Sequence, residues 1–279
     1  KTLVASMYGV AGDAKFGLYH PEIAAAITYT SRETLGQLME NAREVGFEVI
    51  YGHTDSVFCS IPTPEEGMEK LTLINQKMTP IVTEFEKWCS RIIMVAKNRY
   101  AGMVKWTDGE YHDPSIYVKG IELKQSRMPP VMKAAMLDTI TGILTGEREE
   151  NVTTKICDMV DSVIKGEKDP TDLCMKGKLE RDISQYKVLS GSSAGAAWAN
   201  EFLGKGYRKG SFFSVTLNEN GKYIAFDDPK DIEGIETIGT KVMVDRFVIK
   251  KIRPYYELAG WSLQPVENAR NGLSDMLWV

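Results

Sequence analysis

An acidic turn between two apolar runs is the feature of this sequence best suited to chemistry. Asp55 lies in Tyr51-Gly52-His53-Thr54-Asp55-Ser56, between the apolar runs at 47–50 and 57–61. The runs predict two β-strands, and a short turn between strands holds a carboxylate at a sheet edge, where it can reach a divalent cation and a substrate phosphate together. Asp and Ser are also ordinary turn formers, so this turn taken alone favours a purely structural role.

Two helices are predicted before the turn. Residues 1–27 read as helix with a glycine-rich interruption at Gly9–Gly12. A capping box of Thr30 and Glu33, followed by apolar residues on one face, predicts a second helix that Gly46 ends.

Strands and then helices are predicted after the turn. The elements are a helix at 65–78, extended segments at 81–88 and 91–96, a hairpin of 99–106 and 115–119 around Asp108-Gly109, helices at 131–144, 151–164, 179–189 and 194–203, strands at 212–217 and 223–226, and a helix near 245–252. The double proline Pro129-Pro130 stops regular structure, so we expect a domain boundary near 124–130. The sequence thus predicts an α+β protein, with an antiparallel sheet and flanking helices followed by a mainly helical region.

Charge is distributed unevenly along the chain. The net charge is −4, but residues 87–133 contain nine basic and four acidic residues, a local balance of +5, so the remainder carries −9. A cationic strip on an acidic body suits a protein that grips a polyanion along one groove, and the alternative is a solvated surface of mixed charge.

The sequence contains no run of 18 apolar residues and no signal peptide, and it begins without Met, so we expect an intracellular protein that is a piece of something longer.

Three further segments surround the acidic turn in a recognisable order. The first is the segment Lys1–Gly9, which reads Lys-Thr-Leu-Val-Ala-Ser-Met-Tyr-Gly. The second is Glu84-Phe85-Glu86 leading to Lys97–Gly102, and the third is Tyr117–Leu123. Together with Tyr51–Ser56, these segments resemble the motifs of family B DNA polymerases of an archaeal-like type. The resemblance is specific in residues 1–123 and looser beyond them.

The resemblance implies roles for the first segment and for the acidic turn. Lys1 would pair with the triphosphate of the incoming nucleotide and Tyr8, which shares its helix face, would pack beneath the nascent base pair. Asp55 and Glu86 would be the catalytic residues. Asp55 would bind the metal cofactor, Mg²⁺ or Mn²⁺, and Glu86 would lie near the metal site. His53 stands where the family has its first aspartate and would be the second metal ligand. We expect its imidazole to weaken catalysis and to favour Mn²⁺.

The resemblance also implies contacts with DNA. Glu84 and Glu86 would share one side of a strand that leads to the duplex-binding segment. The residues expected to hold primer-template DNA are Lys97, Asn98, Arg99, Tyr100, Lys119, Lys124 and Arg127. Asn98 replaces a second lysine of the family motif and Ala5 replaces an asparagine, and Asn98 keeps an amide that can still donate to base acceptors.

The implied organisation is the end of the fingers helix at 1–27, the palm at 28–125, the thumb at 126–265 and a tail at 266–279. Leu273–Leu277 has the spacing of a sliding-clamp-binding tail, although a frayed terminal helix is the favoured interpretation because the usual glutamine and aromatic pair are absent. The expected location is cytoplasmic, associated with the nucleoid.

The expected function is that of the C-terminal portion of a family B DNA polymerase. Two-metal phosphoryl transfer needs carboxylates from both sides of the site, and the family's other essential aspartate motif is absent from this sequence. We therefore expect primer extension, with dNTP and primer-template DNA as substrates, only in combination with an N-terminal half or subunit. The rival hypothesis is a non-catalytic DNA-binding or scaffold subunit derived from an inactivated polymerase.

Overall fold

The computed structural model describes residues 2–121, 123 and 128–273. The chain forms two compact units. The first contains the residues up to Ser90 together with Val104–Pro114, and the second contains Arg91–Met103 and the residues from Ser115 onward. These limits differ from the predicted boundary near 124–130, of which residues 124–127 lie outside the described part.

Two helices open the first unit. Helix α1 (Thr2–Gly12) runs without a break through Gly9, so the predicted interruption is wrong; a helical glycine costs only about 1 kcal/mol relative to alanine. Helix α2 (Pro21–Glu44) begins at its proline, a residue suited to the first helical position, so the predicted capping box at Thr30 is also wrong. The predicted end at Gly46 is confirmed, since this glycine has a φ of 84° and its N–H donates to the Arg43 carbonyl.

The predicted hairpin and the helix after it are confirmed. Strands β1 (Glu48–His53) and β2 (Ser56–Ser60) pair antiparallel. Helix α3 (Pro64–Met78) follows, and the Thr63 side chain caps it by accepting from the backbone N–H of Glu66. A small core forms where α2, α3 and the hairpin meet. Its buried members are Ala42, Ile74 and Met78.

A second antiparallel sheet has the order β3 (Lys87–Ala96), β4 (Arg99–Thr107) and β5 (Glu110–Lys119). The predicted turn at Asp108-Gly109 is confirmed: its φ angles of 50° and 99° are those of a two-residue hairpin turn of the type I′ class.

The predicted extended segment at 81–88 is wrong over most of its length, because residues 81–86 are irregular and β3 starts only at Lys87. The Thr83 N–H donates to Asn75 Oδ1 at 2.8 Å, and Asn75 Nδ2 donates back to the Thr83 carbonyl at 3.0 Å. This segment is therefore held by a helix side chain and not by a strand ladder.

Beyond its share of the β3-β4-β5 sheet, the second unit is mainly helical around one small sheet. Its elements are α4 (Pro130–Thr145), α5 (Glu149–Ile164), β6 (Met175–Lys178), α6 (Ser192–Phe202), β7 (Phe212–Leu217), β8 (Tyr223–Phe226), α7 (Thr240–Val244), α8 (Lys250–Ala259) and α9 (Gln264–Arg270). The strands follow the order β6-β7-β8, and a π-helical turn at Asp245–Ile249 joins α7 to α8. Methionines of α4 and tyrosines of α8 are among the largest fully buried side chains.

The helix predicted at 179–189 is wrong. Beyond β6 the chain contains only a short 3₁₀ turn at Ile183–Gln185. Leu179 is fully buried, donates its N–H to the Ser211 carbonyl at 3.1 Å and accepts from the Gly210 N–H at 2.7 Å. These bonds continue the strand ladder, so tertiary pairing outweighs the local helical pattern.

The remaining predicted helices and both predicted strands of this unit are present, and β6, α7 and α9 are additions. The α+β class is thus confirmed. Among the described residues, no helix combines the length and the apolar character needed to cross a membrane.

Candidate active site

The acidic turn lies at the tip of the first hairpin. His53 pairs with Ser56, so Thr54 and Asp55 form a two-residue turn, and Thr54 adopts a φ of 50°. The Ser56 hydroxyl donates to the His53 carbonyl at 3.2 Å and closes the turn from inside. Asp55 is exposed, and within the described part of the chain its carboxylate has no hydrogen-bond or ion-pair partner. The hairpin therefore presents a carboxylate that remains available to bind a ligand.

His53 is held against the hairpin by its neighbours. Its ring lies parallel to Tyr51, with 6.2 Å between ring centroids and 9° between planes. Tyr51 in turn contacts Phe58, its partner on β2, at 5.9 Å. The Thr54 hydroxyl oxygen lies 3.1 Å from His53 Nε2. The imidazole thus belongs to an aromatic row along the hairpin and stands beside the acidic turn.

Gly52 lets helix α2 approach the hairpin. A Cβ atom at this position would lie 2.7 Å from Met39 Sδ. This distance is shorter than real contacts of a Cβ atom, so any larger residue requires Met39 to move. The glycine of the Tyr51-Gly52 pair is therefore explained by packing behind the turn.

We expect Gly52→Ala to lower the free energy of unfolding of the first unit by about 1–3 kcal/mol, the usual range for overpacking. Met39→Ala removes the obstructing side chain, so the double variant should lose less than the sum of the two single variants. Urea unfolding of the four proteins measures this coupling, and strictly additive losses would contradict the packing explanation.

Glu86 lies outside any strand, which corrects the expectation that Glu84 and Glu86 share one side of a strand. Its carbonyl accepts from the Asp108 N–H at 3.3 Å, and its carboxylate lies 3.6 Å from Lys87 Nζ. Phe85 anchors this stretch by packing on Trp106, with ring centroids 4.8 Å apart. The structure therefore places Glu86 on the surface, next to the turn that joins β4 to β5.

A metal cluster is not formed by this chain within the described residues, because no three His, Cys, Asp or Glu side chains converge there. The Asp55 carboxylate offers the oxygen donors that a hard divalent cation prefers, but it offers them alone.

Two of the predicted DNA-binding segments meet in the second unit. The turn between β3 and β4 contains Asn98, which adopts a φ of 61°. Gly120, directly after Lys119, has a φ of 68°, and a Cβ atom there would lie only 1.9 Å from the Asn98 carbonyl oxygen. Tyr100 and Tyr117 bring the same two segments together, with ring centroids 6.1 Å apart. We name Lys97–Tyr100 with Lys119 and Gly120 the double-turn surface.

Exposure differs among the side chains of the double-turn surface. Lys97 and Lys119 are exposed, Asn98 and Arg99 are half-buried, and Tyr100 is only 6% exposed. The two lysines can reach a phosphate directly, whereas the Tyr100 ring supports the turn from below. The residue type at position 98 is itself a sequence signal for the left-handed backbone, because Asn tolerates this conformation better than most residues. The close approach of Gly120 had no sequence signal.

The other predicted site residues are only partly described. Tyr8 lies on α1 with 45% of its surface exposed. Lys1, Lys124 and Arg127 lie outside the described residues. Leu273 is described and exposed, but the rest of the predicted clamp-binding tail, residues 274–277, is not.

These features define an α+β protein with an exposed acidic hairpin in its first unit and a cationic surface in its second. The family model described as DNA polymerase family B matches residues 1–197. The chain belongs to DNA polymerase family B, as its motifs predicted.

Similar proteins are DNA polymerases of archaea. The DNA polymerase of Archaeoglobus fulgidus is 26% identical over 72% of this chain and 25% of its own length. DNA polymerase 1 of Saccharolobus solfataricus is 25% identical over 67% of this chain and 21% of its own length. The DNA polymerase of Thermococcus kodakarensis is 25% identical over 80% of this chain and 14% of its own length. The matched region thus spans a quarter or less of these relatives.

Proposed function

We propose that this chain supplies the palm and thumb of a family B DNA polymerase and extends a primer together with a polypeptide that carries the other catalytic aspartate. The end of the fingers helix would be 1–27, the palm 28–125, the thumb 126–265 and the tail 266–279. The observation that carries the proposal is the exposed, unpartnered Asp55 carboxylate at the hairpin tip, within the region that the family model matches.

In this proposal Asp55 binds Mg²⁺, and Glu86 lies near the metal site. Bound Mg²⁺ would polarise the phosphoryl group of the nucleotide and stabilise the charge that develops on it. The remaining carboxylate ligands would come from the partner polypeptide, which carries the other aspartate motif. The task of this chain is to hold one carboxylate rigidly, and the paired hairpin with its aromatic row does so.

DNA binding is assigned to the double-turn surface. Lys97, Arg99 and Lys119 would contact phosphates, Asn98 would shape the turn, and Tyr100 would pack beneath it. Lys124 and Arg127 would extend this contact, and Lys1 and Tyr8 would bind the incoming dNTP. Phosphate contacts dominate the affinity of such surfaces, so binding should weaken as salt rises.

A partner polypeptide is supported by the apolar surface of α1, α2 and the loop between them. Besides Tyr8, seven large apolar or aromatic side chains are exposed in this short stretch: Met7, Phe16, Leu18, Tyr19, Ile23, Ile27 and Tyr29. Contiguous exposed apolar residues mark interaction sites on soluble proteins. We assign this face to the partner that completes the fingers and the metal site.

Primer extension tests the proposal. The chain alone should extend no primer, and mixing it with a polypeptide that carries the missing aspartate motif should produce template-directed extension that depends on Mg²⁺. Failure of a soluble, stably associated pair to extend primers would overturn the catalytic proposal.

We expect His53→Asp to raise the rate of primer extension with Mg²⁺ and to lower the preference for Mn²⁺, because a second carboxylate adds the oxygen donor that a hard cation favours. A change of about 10-fold in the ratio of the two rates is a realistic size for a group beside the metal ligand. His53→Asn is the control, since it removes the imidazole without adding charge. An unchanged metal preference in His53→Asp would contradict this role for residue 53.

A further inference from the structure

An exposed phenylalanine stands at one end of the second unit's sheet. Phe212 is the first residue of β7, and 71% of its surface is exposed. It pairs across the sheet with Lys178, whose Nζ atom lies 5.6 Å from the centroid of the Phe212 ring. The next residue, Phe213, is buried and stacks on Tyr207. Phe213 is therefore the aromatic side chain that packs into the core at this end of β7, and Phe212 is not needed there.

The loops beside Phe212 are tied into a fixed frame. One loop follows β6 and the other precedes β7, and they are joined by the two backbone bonds between Leu179 and residues 210–211. The Lys209 N–H donates to Asp182 Oδ1 at 3.0 Å. The Tyr186 hydroxyl accepts from the N–H groups of Glu180 and Arg181 at 3.1 and 3.2 Å. Exposed side chains on these loops therefore project from a scaffold that is organised before any ligand binds.

Cations outnumber the available acids on this frame. Glu180 is paired with Lys178 at 3.0 Å, and the carboxylate of Asp182 is occupied by a backbone N–H. At the same sheet end, Asp227 and Asp231 share Lys205 at 3.0 and 2.8 Å. The cations that have no ion pair among the described residues, and are exposed, are Arg181, Lys187, Arg208 and Lys209.

We propose that Phe212 and these four cations form a binding surface for a single-stranded polynucleotide. The cations would contact successive phosphates and the Phe212 ring would stack on an unpaired base, which is how proteins bind single strands without sequence preference. Paired bases present their edges and not their faces. Duplex DNA would therefore contact the cations through its phosphates, but no base would stack on the Phe212 ring. The side chains of an acidic peptide would pair with the cations and would likewise not stack on the Phe212 ring. This surface is distinct from the double-turn surface, so it goes beyond the proposed polymerase function.

Fluorescence anisotropy of the full chain with a labelled oligothymidylate of about 16 nucleotides tests this surface, because known single-strand sites extend over that length or less. Phe212→Ala should weaken binding about 5- to 100-fold, the range found for removing one stacking side chain, and Phe212→Trp should preserve it. Ile235→Ala is the matched control, since Ile235 is an exposed apolar residue of the same unit. A parallel oligouridylate series shows whether the preferred strand is deoxyribose or ribose.

The charge requirement is tested by the double variant Arg208→Ala/Lys209→Ala. The slope of log affinity against log salt should fall by about 1.4, because each phosphate contact contributes about 0.7 for a single strand. The control Lys165→Ala/Lys241→Ala removes the same charge from other exposed positions of this unit and should leave the slope nearly unchanged.

Photocrosslinking to a strand that contains 5-iodouracil gives an independent readout. The crosslink should map to the peptide that contains Phe212. If Phe212→Ala binds as tightly as Ile235→Ala and no crosslink maps to that peptide, the surface does not bind single strands, whatever the result for primer extension.

Discussion

Asp55→Asn is expected to lower primer extension by the reconstituted polymerase by more than about 100-fold, because even partners that only orient a metal ligand change metal affinity or activity by 10- to 100-fold. Asp55 is exposed at a two-residue turn, and its side chain has no intramolecular partner within the described chain. The substitution should therefore leave folding almost unchanged while removing the charge that binds the cation. Single-turnover extension at saturating Mg²⁺ measures the loss.

The matched control is Asp108→Asn. Asp108 is also an exposed aspartate of the first unit, at the tip of another two-residue hairpin turn, and Asn tolerates its φ of 50°. It should extend primers at nearly the wild-type rate. Equal rates for both variants would exclude a catalytic role for Asp55 and would favour the rival hypothesis of a DNA-binding scaffold subunit.

Local sequence signals predicted those elements in which local and tertiary preferences agree. The hairpin around Asp55, the turn at Asp108-Gly109 and the end of α2 at Gly46 all depend on residues within a few positions. The strands at 212–217 and 223–226 were predicted with their observed limits, because apolar runs bounded by turn residues define them.

The wrong predictions occur where residues outside the local pattern decide the backbone. Thr30 has the spacing of a capping box, but α2 continues through it because the preceding residues from Pro21 are also helical. Leu179 has helical neighbours in sequence, yet its backbone is paired with residues 210–211. Residues 81–86 alternate like a strand, but the Asn75 side chain holds them.

The sequence predicted which residues form the candidate site but not how they are arranged in space. Asp55 and its hairpin followed from the motif, and the motif also indicated family B. The isolation of the carboxylate and the absence of a ligand cluster among the described residues required coordinates. So did the closure of Asn98 over Gly120, which joins segments about 20 residues apart in the sequence.

That closure makes Gly120→Ala the second large effect. Alanine at this position would carry the cost of a left-handed backbone, about 1–2 kcal/mol, at a φ of 68°. Its Cβ atom would also overlap the Asn98 carbonyl oxygen, a backbone atom that no side-chain rotation can move away. We therefore expect the second unit to lose more than about 3 kcal/mol of unfolding free energy, and the double-turn surface to lose affinity for primer-template duplex.

Gly166→Ala separates the two causes, because Gly166 has a similar φ of 70° in the same unit and a Cβ atom there would meet nothing within 4 Å. It should show the backbone cost alone, about 1–2 kcal/mol, and bind duplex normally. Urea unfolding followed by tryptophan fluorescence gives the stabilities, and anisotropy with a labelled primer-template gives the affinities. If the two variants lost the same unfolding free energy, the close approach of Asn98 to position 120 would make no contribution to the destabilisation. If Gly120→Ala were destabilised but bound duplex as tightly as Gly166→Ala, the geometry of the two turns would matter for folding and not for holding DNA.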